Sequence, residues 1–181
     1  RNAIRSCGQA GKWQRAVSLL RLAEDDHLPP DSYCYAQAMS ACRRAGQWPL
    51  TLRLLADLRG SGAPADPFTT SNAIAACERI GDWKRALSIL RELDSTSLVC
   101  HNAAISACAG SGQWQEALEL LTELEIATRL DAQPNVRSYS AAMTACTRAG
   151  QWQRALELWA RMKERGVRAD GVAYGAAVSA C

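Results

Sequence analysis

The chain has 181 residues, of which 48% are hydrophobic and 22% charged, and this composition is typical of a globular protein. It contains no run of about 18 apolar residues, which excludes a membrane-spanning helix on sequence grounds. The net charge is +3, a mildly basic value that permits an acidic partner such as nucleic acid but does not require one.

One short pattern, Cys-x-x-x-Gly-x-Trp, occurs five times along the chain. Its cysteines are Cys7, Cys42, Cys77, Cys108 and Cys146, and Cys181 begins a sixth copy. Successive copies are separated by 35, 35, 31, 38 and 35 residues. A period near 35 is typical of stacked helical hairpins, in which each repeat buries the apolar face of its neighbour. The pattern therefore predicts an all-α solenoid of helix-turn-helix repeats.

We assign the predicted elements in chain order to a single repeat array. It consists of a partial repeat at 1–31, four full repeats at 32–66, 67–97, 98–135 and 136–170, and a partial repeat at 171–181. Each full repeat begins with a helix rich in small residues, such as "VRSYSAAMTACTRAG" from 136, which we expect to end at the glycine of the pattern. The second helix begins at the tryptophan.

The second helix carries an apolar stripe with the spacing of an α-helix. In the last full repeat the stripe comprises Trp152, Ala155, Leu156, Trp159 and Met162. The glycines that separate the two helices are Gly11, Gly46, Gly81, Gly112 and Gly150. Glycine adopts the left-handed conformation of a helix C-cap at little steric cost, so we expect this conformation at each of them.

The eight cysteines do not form a metal or disulfide pattern. Equivalent Cα atoms of neighbouring helices lie roughly 8–10 Å apart, beyond the ~7 Å reach of a disulfide. There is no Cys-x-x-Cys, and His27 and His101 form no His-x-x-x-His pair. We therefore expect small buried residues and no metal or cofactor. Cys34 and Cys100, near the starts of first helices, have no assigned role.

Whole repeats of this chain resemble the pentatricopeptide repeat. The resemblance rests on "YSAAMTACTRAGQWQRALELWARMKERGVRAD" (139–170) and "HNAAISACAGSGQWQEALELL" from 101, and it extends over essentially the entire chain. The tryptophan after each glycine is similar to the version abundant in dinoflagellate-type algal proteins. The alternative is the tetratricopeptide repeat, whose period is near 34, but its first-helix Trp-x-x-Leu-Gly-x-x-Tyr signature is missing.

The resemblance implies a right-handed α-solenoid whose first helices line the concave face and bind single-stranded RNA, one base per repeat. It implies base-reading pairs at Asn102 with Asn135, which resembles a pyrimidine reader, and at Ser140 with Asp170, which resembles a guanine reader. Ser71 with Ser97 is a third candidate pair, in the shortened repeat. The alternative for these residues is an ordinary role as helix caps. The implied base-flanking residues are Tyr33, Phe68, Val99 and Arg137.

Basic residues near the ends of first helices are candidates for contact with RNA phosphates. They are Arg43, Arg44, Arg79 and Arg148. Such a row along one edge suits a nucleic-acid backbone. Arginines at helix C-termini also interact favourably with the helix dipole and keep the surface soluble, and the sequence leaves both interpretations open.

An enzyme is the weakest of the possible classes, because the chain has too few histidines, no nucleophile elbow and no glycine-rich phosphate loop. Two binding functions remain. The first is single-stranded RNA binding in a chloroplast or mitochondrion, as the resemblance implies. The second is a protein-binding scaffold or structural subunit of an organellar complex, such as a ribosome or photosystem. Because the sequence starts at Arg1 and stops within an apolar pattern at Cys181, we expect it to be part of a longer chain or larger assembly.

Overall fold

The structure is a computed structural model that describes residues 6, 12–25, 30–62, 66–92, 97–127 and 133–180. Across these ranges the chain forms ten α-helices and no strand. They are α1 (Trp13–Asp25), α2 (Ser32–Arg44), α3 (Trp48–Gly60), α4 (Pro67–Ile80), α5 (Trp83–Arg91), α6 (Leu98–Gly110), α7 (Trp114–Ile126), α8 (Val136–Arg148), α9 (Trp152–Glu164) and α10 (Gly171–Ala180). Every described helix is too short or too polar to cross a membrane.

The chain divides into two compact units, residues 1–80 and 81–181. In the first, α2 contacts α1, α3 and α4, and α3 also contacts α4. Its largest fully buried side chains are Leu20, Tyr35, Met39, Leu58 and Ile74. Helices from successive repeats thus share one core, as a repeat array requires.

The second unit uses the same packing. Helix α8 contacts α6, α7, α9 and α10, while α6 also contacts α5 and α7. Its largest fully buried side chains are Tyr139, Ile105, Leu121, Leu124, Met143, Leu158 and Met162. The predicted alternation of a first and a second helix is therefore observed in the described part of each unit.

The glycines of the repeated pattern close the first helices. Gly46, Gly81, Gly112 and Gly150 have φ values between 70° and 83°, as predicted, whereas Gly11 lies outside the described residues. After α8, the N–H of Gln151 donates to the carbonyl of Cys146 at 2.8 Å and the N–H of Gly150 to that of Thr147 at 3.1 Å. This pair of bonds is the Schellman motif. The same two bonds close α2 and α6, where the Cys42 and Cys108 carbonyls accept.

The predicted apolar stripe of α9 is only partly buried in the structure. On α9, the buried residues are Ala155, Leu158 and Met162, whereas Leu156 is half-buried and Trp152 is 50% exposed. Trp152 is the first residue of the helix, and its side chain is not part of the core. Its place in the apolar stripe implied burial, which was wrong because helical spacing alone does not show how far neighbouring helices cover the end of a helix.

All six cysteines of α2, α4, α6 and α8 are buried. Burial raises the pKa of the Cys42, Cys108 and Cys146 thiols from 9.0 to about 11, because a thiolate is poorly solvated there. Cys34 and Cys100 occupy the third position of α2 and α6 and are also buried. The N–H of Cys34 donates to the Asp31 carboxylate at 2.9 Å, so the backbone of this cysteine takes part in the N-cap of α2.

A buried carboxylate joins three helices of the second unit. The Glu125 side chain, on α7, is only 4% exposed, and it forms ion pairs with Arg161 and with Arg165, whose Nε lies 3.7 Å from Oε1. The Tyr139 hydroxyl, on α8, donates to the same carboxylate at 2.7 Å. Burial, followed by this hydrogen bond, raises the pKa of Tyr139. Glu125 thus has hydrogen-bonding partners that offset its desolvation.

Candidate nucleic-acid interface

The residue that closes each predicted repeat is the N-cap of the following first helix. Asp31, Asp66, Asn135 and Asp170 each accept a hydrogen bond from the backbone N–H three residues later, at 2.7–3.2 Å. The capping role considered from the sequence is therefore present at these positions. Ser97 occupies the cap of α6, where its side chain forms no capping hydrogen bond.

The structure brings together the Asn102 and Asn135 side chains. Asn102 lies on α6 and is 6% exposed, and its Nδ2 approaches Oδ1 of Asn135 at 3.5 Å. The Oγ of Ser138 donates to Oδ1 of Asn102 at 2.6 Å and accepts from the Asn135 N–H at 3.1 Å. Ser138 was not among the sequence-predicted residues, because its contact with Asn102 crosses 36 positions.

The Ser140 and Asp170 side chains are each hydrogen-bonded within their own segment. The Ser140 hydroxyl donates to the carbonyl of Val136 at 2.8 Å, and the Asp170 carboxylate accepts from the Ala173 N–H at 2.8 Å. Ser140 is 5% exposed, and its one hydroxyl proton is used in this bond, so it must leave the Val136 carbonyl in order to donate to a ligand. Their role as a base-reading pair stays a prediction.

The third predicted pair is divided between the two units. In the first unit, the Ser71 hydroxyl donates to the carbonyl of Phe68 at 3.0 Å. In the second, the carbonyl of Ser97 accepts from the N–H of His101 and lies 3.0 Å from its Nδ1. The Ser97 hydroxyl forms no capping bond. Base reading by Ser71 and Ser97 likewise stays a prediction.

The predicted base-flanking residues are exposed at the second position of their helices. Tyr33 is 42% exposed, Phe68 51% and Val99 64%, and Arg137 is also exposed. Val172 of α10 occupies the same position and is 62% exposed. Val172 follows Asp170 by two positions, as Arg137 follows Asn135. This spacing would have identified Val172 as a further base-flanking candidate from the sequence. Large apolar side chains held out of the core offer surfaces on which a base can stack.

The candidate phosphate-binding arginines Arg43, Arg79 and Arg148 contact other parts of the protein. Nε of Arg43 donates to Oδ1 of Asn72 at 3.1 Å. The Arg79 guanidinium lies over the Trp48 ring at 5.6 Å, and Nη1 of Arg148 donates to the carbonyl of Ala109 at 3.2 Å. Arg44 is exposed. These contacts connect helices of successive repeats and give the three arginines a structural role, while phosphate binding by the predicted arginines stays a prediction.

Comparisons with known proteins identify the repeat type. The PPR repeat family model matches residues 134–181, and the PPR repeat model matches residues 2–27 and 99–126. Together these matches extend over more than half of the chain. No curated protein sequence matches it significantly.

Solved structures with the same fold include the pentatricopeptide repeat protein PPR10. PPR10 from maize is 27% identical, with a TM-score of 0.72 over 98% of this chain. PPR10 in complex with an 18-nt psaJ RNA element is 24% identical, with a TM-score of 0.78 over 98% of this chain. The chain spans 26% of the length of PPR10 in both cases.

A third structure is the PPR domain of Arabidopsis thaliana protein-only RNase P 1 in complex with tRNA. It is 18% identical, with a TM-score of 0.68 over 80% of this chain and 77% of that one. The sequence matches and the shared fold confirm the α-solenoid class and exclude the tetratricopeptide alternative. The chain belongs to the pentatricopeptide repeat family.

Proposed function

We propose that the chain is a single-stranded RNA-binding module of organellar RNA metabolism, acting in a chloroplast or mitochondrion by occupying RNA. The observation that carries this proposal is the pairing of Asn102 with Asn135 at 3.5 Å, near the start and at the end of the repeat at 98–135. Carboxamides supply donors and acceptors that match a base edge. The function is binding rather than catalysis.

The surroundings of this pair support an RNA ligand. Val99 is 64% exposed and lies on α6, which carries Asn102. Arg137 is also exposed and lies on α8, which Asn135 caps. An aliphatic side chain and a guanidinium both offer surfaces against which a base can stack. The structures of PPR10 with a psaJ RNA element and of the RNase P domain with tRNA are of related repeats bound to RNA.

A protein-binding scaffold is the second candidate. The engagement of Arg79 with Trp48 and of Arg148 with Ala109 favours it, because these cations are partly committed to contacts within the protein. Exposed Tyr33 and Phe68 suit a protein partner as well as a base. A chain with this function should bind no single-stranded RNA even at low salt.

The first test is to bind the purified chain to a randomised single-stranded RNA pool and sequence the retained RNA. We expect a pyrimidine to be enriched at one position. The double variant Asn102→Ser, Asn135→Asp copies the Ser140–Asp170 pair while keeping an N-cap acceptor, and it should shift that position toward guanine.

The matched control is Gln153→Ala, an exposed residue of α9, which should leave the enriched sequence unchanged. Enrichment of the same base by the double variant would contradict base reading by this pair. Failure of the wild-type chain to retain RNA at low salt would contradict the proposed function and favour the scaffold.

A further inference from the structure

The backbone N–H groups at the start of α8 determine which atom of the Asn135 carboxamide faces them. Oδ1 of Asn135 accepts from the backbone N–H groups of Arg137 at 3.0 Å and Ser138 at 3.2 Å. Backbone N–H groups only donate, so the atom facing them must be the carboxamide oxygen. This fixes the orientation of the Asn135 side chain.

The orientation of Asn102 follows from that of Asn135. Because Oδ1 of Asn135 is an acceptor, the atom of Asn102 that approaches it at 3.5 Å is the Nδ2 donor. The oxygen of Asn102 then faces Oγ of Ser138 at 2.6 Å. Ser138 accepts from the Asn135 N–H at 3.1 Å, and its one hydroxyl proton has two acceptors within reach. Oδ1 of Asn102 at 2.6 Å is nearer than Oδ1 of Asn135 at 3.3 Å, so the proton is assigned to Asn102.

We propose that Ser138 is a positioning residue that fixes the Asn102 carboxamide, with its oxygen turned into the protein and its Nδ2 as the group offered to a base. The inference deepens the proposed function and rests on it. Asn102 then presents a donor and selects a base edge that carries an acceptor. Without the Ser138 hydroxyl, the long 3.5 Å contact is the remaining restraint on the amide, and a flip exchanges donor for acceptor.

The equivalent position carries a residue other than serine in each of the other described first helices. The residues there are Cys34, Thr69, Cys100 and Ala173. The Thr69 hydroxyl donates to Asp66, the cap of its own helix. Ala173 has no hydroxyl, and Ser140, the reader that precedes it, donates to Val136 on its own helix. The base preference at Asn102 should therefore depend on a third residue, whereas that at Ser140 should not depend on Ala173.

The test compares Ser138→Ala and Ser138→Thr in the 181-residue chain, with the randomised single-stranded RNA pool as probe. Ser138→Ala should reduce the pyrimidine preference at the Asn102 position about three- to tenfold, the effect of one net hydrogen bond. Ser138→Thr keeps the hydroxyl and should restore it. Thr144→Ala is the matched control, because it removes a hydroxyl that donates only to the backbone carbonyl of Ser140 within α8. It should leave the pyrimidine preference unchanged.

A second readout needs no RNA. The Nδ2 proton signals of Asn102, assigned in NMR spectra by their loss in Asn102→Ser, should move toward unstructured values in Ser138→Ala and stay in place in Ser138→Thr. Unmoved signals, or an unchanged base preference in Ser138→Ala, would overturn the inference. Absence of RNA binding by the wild-type chain overturns the proposed function and the base-facing part of this inference, while the NMR signals still report whether Ser138 holds the amide.

Discussion

At the scale of single residues, the raised pKa values of the buried thiols make the stability of the protein depend on pH. Cys42, Cys108 and Cys146 have pKa values of about 11 in the folded chain, against 9.0 for an exposed thiol. Tyr139 is shifted in the same direction. Folding therefore favours the neutral forms of these groups. The contribution of the three thiols to stability is complete below pH 9 and is lost as the pH rises through 11.

We expect the free energy of unfolding to fall by about 1 kcal/mol per thiol between pH 8 and pH 10. Urea unfolding at a series of pH values measures this decrease. The Cys108→Ala variant supplies the comparison, since it removes one titrating group and should show a shallower decrease. Stability that is constant up to pH 11 would contradict the assigned burial of the thiols.

At the scale of one helix, Gly150 forms part of the C-terminal cap that ends α8. Gly150 has a φ of 71°, and a Cβ added there would meet no atom within 4 Å. The cost of a side chain is therefore conformational and not a steric clash with the surroundings. We expect Gly150→Ala to lower the free energy of unfolding by about 1 kcal/mol.

The matched substitution is Gly175→Ala, inside α10, where the added Cβ also meets no atom within 4 Å. Here the residue is helical, so alanine should stabilise the chain by about 0.5–1 kcal/mol. The same chemical change should thus have opposite signs at the two sites in urea or thermal unfolding. Equal effects would mean that the left-handed conformation is not what selects glycine at position 150.

Local features of the elements were predictable from the sequence and contacts between repeats were not. The helix ends follow from Cys146, Gly150 and Trp152 because every bond of the motif lies within a few residues. The bond from Ser138 to Asn102 and that from Arg148 to Ala109 cross 36 and 39 positions. Spacing alone gives no distance between such residues, so the partners could not be assigned before the fold.

For the whole molecule, the modest charge limits how strongly salt should affect RNA binding. The net charge is +3, and Arg79 and Arg148 already have partners within the protein. Single-stranded RNA contributes a slope of about −0.7 in log K against log salt concentration for each phosphate contact. We expect two to three such contacts and a slope of about −2.

Binding measured between 50 mM and 300 mM salt would show this slope. Arg148→Ala should lower the melting temperature, because it removes the bond to the Ala109 carbonyl, while changing the slope by less than the ~0.7 expected for a phosphate contact. A change of about 0.7 in the slope in Arg148→Ala, the loss of one full phosphate contact, would instead assign this arginine to the RNA backbone.

The closed helix ends also bear on how such a chain grows over generations. From cysteine to tryptophan the pattern always spans the same seven residues, whereas the distance from one tryptophan to the next cysteine varies, so that successive copies lie 31 to 38 residues apart. The hydrogen bonds of the turn after the first helix join groups within the same short segment. A duplicated repeat therefore brings with it all the groups that form this turn. We expect insertions and deletions to be tolerated in the remainder of the repeat. Duplication of a repeat then lengthens the protein without requiring a new turn between its two helices.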